Sequence, residues 1–116
     1  MESKPILLVD DEPSLLHLLQ KYLERLGYSV EACISAEDAL VRFDADPARF
    51  ALVMTDLTLD GMNGEDMLDR MRVKRPSLKA ILASGYPHVP RSKKTTFLQK
   101  PFLPKALAEA IADLIK

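Results

Sequence analysis

Four short strand-like runs, each closing on a charged or hydroxyl residue, constrain the fold of this chain more than any other feature. Ile6–Val9 leads into Asp10-Asp11, Phe50–Thr55 into Asp56, Ala80–Ser84 ends on Ser84, and Thr96–Gln99 leads into Lys100. The first three are apolar at consecutive rather than alternate positions, which suits strands covered on both faces, as in a parallel sheet. Tyr28–Cys33 reads as a further strand, second in chain order.

Helical spacing fills the gaps. Pro13 can open a helix, because proline tolerates the first turn. Leu15, Leu16, Leu19, Tyr22, Leu23 and Leu26 then recur along one face, and Gly27 supplies a stop. Ser35 with Asp38 resembles a capping box for a helix carrying Ala36, Ala39, Leu40 and Phe43 and ending near Pro47. A third helix is expected from Glu65 to Lys74, with Met67, Leu68 and Met71 inward and Pro76 as its stop. The last starts near Pro104 and presents Leu107, Ile111 and Leu114. Between Gly85 and Thr96 the alternation breaks, since Pro87 and Pro90 oppose a long helix. Strands alternating with helices predict one α/β unit, a parallel sheet wrapped on both faces.

With 116 residues, the expectation is a single domain over 1–116. The formal charge of −1 speaks against non-specific nucleic-acid binding, which needs a basic excess. No apolar run approaches the ~18 residues of a membrane span, and the Ile6–Val9 run is too short for a signal-peptide core. The single Cys33 cannot form an internal disulfide and reads as a packing residue. A cytoplasmic protein is the default expectation.

In an open doubly wound sheet, ligands bind beyond the carboxyl ends of the strands. Asp10, Asp11, Asp56, Ser84 and Lys100 are therefore expected to converge there, although they lie far apart in sequence. Taken singly, each has a plain alternative: Asp10-Asp11 as a helix N-cap, Asp56 as a loop carboxylate, Ser84 as a strand-end hydroxyl, Lys100 as a solvated charge. Together they form a site. Clustered carboxylates raise one another's pKa unless a cation joins them, and one lysine compensates only part of the charge. A hard divalent ion with oxygen ligands, Mg²⁺, suits such a set. Asp56, at the centre, could act as a carboxylate nucleophile, with Lys100 holding a phosphoryl oxygen.

These residues match a known pattern. Ile6-Leu-Leu-Val-Asp-Asp-Glu12, Asp56-Leu-Thr-Leu-Asp-Gly-Met-Asn-Gly64, Ser84 and Lys100-Pro-Phe102 resemble, along the whole chain, the receiver domains of two-component signalling. The resemblance implies a flavodoxin-like (βα)₅ three-layer sandwich with strand order 2-1-3-4-5. It implies that Asp56 accepts phosphate from a histidine kinase or phosphotransfer protein, in a switch rather than a turnover enzyme. Asp10 and Asp11 then correspond to the acidic pair that holds Mg²⁺, with Asp11 the direct ligand. The backbone carbonyl of Thr58 corresponds to a further metal ligand, Ser84 to the hydroxyl that moves to the phosphate, and Phe97 to the aromatic whose rotamer follows it. Lys100-Pro101 is a candidate cis peptide. Ser84-Gly85-Tyr86 with Phe97–Phe102 looks most like receivers attached to hybrid histidine kinases, so a fused kinase or output domain could belong to a parent chain.

Two departures stand out. Asp60 occupies a position where the family often has proline, and its side chain is expected to face solvent. The larger one is the segment from Gly85 to Thr96, where most receivers place a full helix. Here the fourth helix is expected to be shortened or missing, and the basic run Arg91-Ser-Lys-Lys94 reads as a solvated loop rather than a docking patch. Three rivals are weaker. A flavin would be repelled by Asp10-Asp11-Glu12 in place of a glycine- and hydroxyl-rich loop. An aspartyl phosphatase needs a second acid where this chain has Thr58. A receiver-like module that is never phosphorylated typically lacks the acidic pair, the acceptor or the lysine, all present here.

Overall fold

The structure, a computed structural model, describes residues 4–115. Its elements in chain order are β1 (Ile6–Val9), α1 (Pro13–Arg25), β2 (Val30–Cys33), α2 (Ala36–Ala45), a 3₁₀ turn (Pro47–Arg49), β3 (Leu52–Asp56), α3 (Gly64–Lys74), β4 (Ala80–Ser84), β5 (Thr95–Gln99) and α4 (Pro104–Ile115). The strands form one parallel sheet in the order β2-β1-β3-β4-β5. That is the flavodoxin-like order expected from the resemblance.

Period-two alternation explains why the strand runs are apolar throughout. Leu7, Val9, Val53 and Leu82 point into one core, closed by Phe43 of α2 and Met67, Leu68 and Met71 of α3. Ile6, Leu8, Leu52, Met54 and Ile81 point into the other, closed by Leu16 and Leu23 of α1 and Leu107 and Ile111 of α4. Each fully buried side chain of this size contributes about 1.5–3 kcal/mol, so both helical layers stabilise the sheet between them.

Local signals set the helix ends. The Glu12 carboxylate caps α1, accepting from the Ser14 and Leu15 amides, with Pro13 behind it. Ser35 Oγ accepts from the Asp38 amide at 3.1 Å, which is the serine half of the expected capping box. Asn63 caps α3 in the same way through the Asp66 amide. Gly27 stands at φ +97°, the left-handed turn that ends α1.

Strand boundaries shift slightly from expectation. β2 starts at Val30 because the Tyr28 amide still bonds the Leu23 carbonyl of α1. β3 starts at Leu52, since Phe50 stacks on Phe43 at 6.0 Å at the end of the 3₁₀ turn. Among the described residues, 85–94 contain no helix, and β4 passes to β5 through an irregular segment. The fourth helix of the expected pattern is therefore missing, as Pro87 and Pro90 predicted.

Candidate functional site

The strand register brings the polar strand ends to one edge. Val9 pairs with Thr55 and Asp56 with Ala83, so the residues that follow β1, β3 and β4 leave the sheet side by side. The Leu57 amide bonds the Ala83 carbonyl at 2.8 Å, and the Lys100 amide bonds the Ser84 carbonyl at 2.8 Å. Asp10, Asp11 and Asp56 thereby place carboxylate oxygens within 4.8 Å of one another. Lys100 Nζ lies 2.6 Å from Asp56 Oδ1. Because Glu12 caps α1, the Asp10-Asp11 pair is free of that duty and faces the cluster.

The electrostatics are unbalanced. Burial pushes the Asp10 carboxyl from its ordinary 3.8 up to about 6; the Asp56 charge adds to the rise, while the Glu12 amide and Lys100 act against it. Asp10 is only 2% exposed, and the hydrogen bond its Oδ1 accepts from the Glu12 amide at 2.9 Å offsets only part of the cost of burying the charge. Asp11 is half-buried and accepts from the Asp60 amide at 3.0 Å, which ties the loop after β3 to the acidic pair. The Asp60 side chain is exposed, as expected. Three carboxylates, only partly neutralised by one lysine, offer the oxygen donors that suit a hard divalent cation.

The loop from β3 to α3 depends on Gly64. Its amide bonds the Leu57 carbonyl at 2.7 Å, and an added Cβ would fall inside van der Waals contact with the Asp56 carbonyl oxygen and 3.0 Å from Leu82 Cδ1. Only glycine lets α3 begin this close to the end of β3. Thr58 is exposed in this loop, two residues past Asp56.

Ser84 ends β4 almost buried, its Oγ accepting from the Tyr86 amide at 3.1 Å. Phe97 is half-buried on β5 and faces not the acidic cluster but the His88 ring, with centroids 6.1 Å apart and planes tilted by 60°. Lys100-Pro101 is cis. The cluster thus unites Asp10, Asp11, Asp56 and Lys100, with Ser84 and Thr58 at its rim and Phe97 outside it.

Two features escaped the sequence. A groove of about 620 Å³ runs from Asp56 and Lys100 between Leu15, Leu18, Tyr22 and Pro104. Its walls come from α1 and the start of α4, and their convergence has no local signal. The second is Glu65, 1% exposed on the first turn of α3. Its Oε2 sits 2.8 Å from His88 Nε2 and accepts from the Arg91 amide at 2.9 Å. Arg91 also bridges Asp66 and Asp69, and Lys94 Nζ donates to the Pro76 carbonyl at 2.7 Å. The cations of the basic run are exposed, as expected of a solvated loop, but two of them pair with α3 and the turn that follows it.

Comparison with known proteins agrees with this geometry. The profile of the response regulator receiver domain matches residues 6–112. Sensor kinase CckA of Brucella abortus is 29% identical across 98% of this chain, which corresponds to 13% of that protein. The transcriptional regulatory protein GlrR of Escherichia coli is 32% identical across all of it, corresponding to 28% of that protein. The chain therefore spans a small part of the length of these relatives. Among solved structures, the receiver domain of the hybrid histidine kinase CckA superposes with TM-score 0.87 at 27% identity, covering 97% of this chain and 99% of that one. The response regulator TrrA of Thermotoga maritima, solved in complex with Mg²⁺ and BeF, superposes with TM-score 0.84 at 29% identity, covering 97% and 99%.

Proposed function

The chain belongs to the response regulator receiver family of two-component systems, and on that premise we propose that Asp56 is its phosphoacceptor and that the Asp10, Asp11 and Asp56 carboxylates hold Mg²⁺. The observation that carries the reading is the meeting of three carboxylates within 4.8 Å, with Lys100 2.6 Å from the central one. The TrrA complex with Mg²⁺ and BeF supports it by likeness.

The chemistry follows from the side chains. A carboxylate oxygen of Asp56 attacks the phosphorus of a phosphohistidine donor; the P–O bond forms as the P–N bond breaks, and the imidazole leaves with the displaced electron pair. Lys100 gives up its contact with Asp56 Oδ1 to hold an oxygen of the arriving group. The Asp10, Asp11 and Asp56 carboxylates and the Thr58 carbonyl would hold Mg²⁺, which would supply positive charge to offset that of the arriving group. Ser84 offers a hydroxyl to another phosphoryl oxygen, and Phe97 and the 85–94 segment report the change. The reaction is a stoichiometric transfer on one residue, and the unit that performs it is the whole of 1–116.

The donor must bring an imidazole to Asp56. The apolar groove that ends there, with Leu18 65% and Leu103 73% exposed beside it, is the surface that a histidine-bearing helix of the donor would cover. A hybrid kinase or a separate phosphotransfer protein supplies that helix equally well. Among the described residues no helix is long and apolar enough to cross a membrane.

The test is an intact-mass spectrum after incubation with Mg²⁺ and acetyl phosphate. Wild type is expected to gain one phosphoryl group and Asp56→Asn none. A wild type that stays unmodified with both acetyl phosphate and a histidine kinase overturns the assignment.

A further inference from the structure

The segment that replaces the missing helix is fastened rather than loose, and the fastener is a buried acid. Glu65 uses one carboxylate oxygen for both His88 Nε2 and the Arg91 amide, while its other oxygen, Oε1, is buried with no partner among the described residues. The Arg91 guanidinium adds bridges to Asp66 Oδ1 at 2.9 Å and Asp69 Oδ2 at 2.7 Å, so the first two turns of α3 grip the segment from one side. A buried carboxylate whose contacts come from one segment is costly to leave unmade, which gives the grip its strength.

The gripped segment follows directly on Ser84, whose Oγ takes the Tyr86 amide, so the strap holds the chain as it leaves the end of β4.

We infer that Glu65 is a positioning residue that straps residues 86–91 onto α3, an effect independent of the phosphoacceptor reading above.

Hydrogen exchange on the whole chain tests the strap. Glu65→Leu is expected to speed exchange of the Arg91 amide by about tenfold or more, as a lost buried acceptor implies, while β1 and β3 amides stay protected. Glu65→Gln keeps an acceptor oxygen, so it is expected to retain most of the Arg91 protection. An Arg91 amide that exchanges equally in wild type and Glu65→Leu overturns the strap, and one that exchanges as fast in Glu65→Gln as in Glu65→Leu overturns the role of the shared acceptor.

Discussion

Gly64→Ala is expected to lower the melting temperature by roughly 10 °C, the consequence of about 2–3 kcal/mol of overpacking in a domain of this size. Helix propensity alone predicts the opposite, since alanine is favoured over glycine within helices by about 0.5–1 kcal/mol. Steric conflict wins here because the new methyl meets backbone: the Asp56 carbonyl oxygen cannot rotate away as a side chain would. Either α3 slides along the sheet, exposing part of the Met67 and Leu68 packing, or the end of β3 moves. The second displaces the Asp56 carboxylate from Lys100, and the first shifts the 57–63 loop that follows it, so acetyl-phosphate labelling should slow together with the loss of stability. Thermal melts and labelling rates measured on the same preparation check this. A variant as stable as wild type would show that the approach of α3 to β3 is looser than described.

Asp10→Asn is expected to stabilise the metal-free protein at pH 7 by about 1–3 kcal/mol while weakening Mg²⁺ binding by at least about tenfold, one lost charged ligand. The sign follows from proton linkage. The folded carboxyl holds its proton up to about pH 6, whereas an unfolded one releases it near 3.8. Between those values the folded state binds more protons, so stability falls as pH rises through the window, and at pH 7 the whole deficit is present. Asparagine carries no such charge, so the gain should be large at pH 7 and vanish near pH 4. Asp11→Ala makes the contrast: it should also weaken Mg²⁺ binding but bring no gain in stability, because it removes the acceptor of the Asp60 amide. Denaturant melts at both pH values in a chelator, followed by Mg²⁺ titrations, separate the two. Equal stability of wild type and Asp10→Asn at pH 7 would contradict the account of an uncompensated buried carboxylate.

These two residues illustrate what the sequence can and cannot express. Asp10 was legible because an apolar strand must end somewhere, and in an alternating α/β chain each strand end arrives at one edge. The same logic located Asp56, Ser84 and Lys100. The missing helix was legible from Pro87 and Pro90, whose backbone restrictions are local. Gly64 looked like an ordinary turn glycine, since its need for glycine comes from a carbonyl on another element. Glu65 stood out only as the first residue of the third helix. Its burial depends on His88 and Arg91, which reach it only after β4 has crossed the sheet and the following segment has doubled back over α3. The partners of Arg91 were hidden in the same way: a basic run on an exposed loop gives no sign of the acids that a neighbouring helix sets beside it.

The N-cap of α1 carries the same lesson on a smaller scale. An acidic pair before Pro13 could have served the helix alone. Glu12 takes that role through the Ser14 and Leu15 amides, so Asp10 and Asp11 are left for the site. One residue of spacing separates a structural acid from two chemical ones.

The most direct test of the central claim is the position of the phosphoryl group. Protein labelled with acetyl phosphate and Mg²⁺ is reduced with borohydride, which converts an aspartyl phosphate to homoserine, then digested and sequenced by tandem mass spectrometry. The account predicts homoserine at position 56 and nowhere else; homoserine at Asp10, Asp11 or Asp60 with Asp56 intact would contradict it.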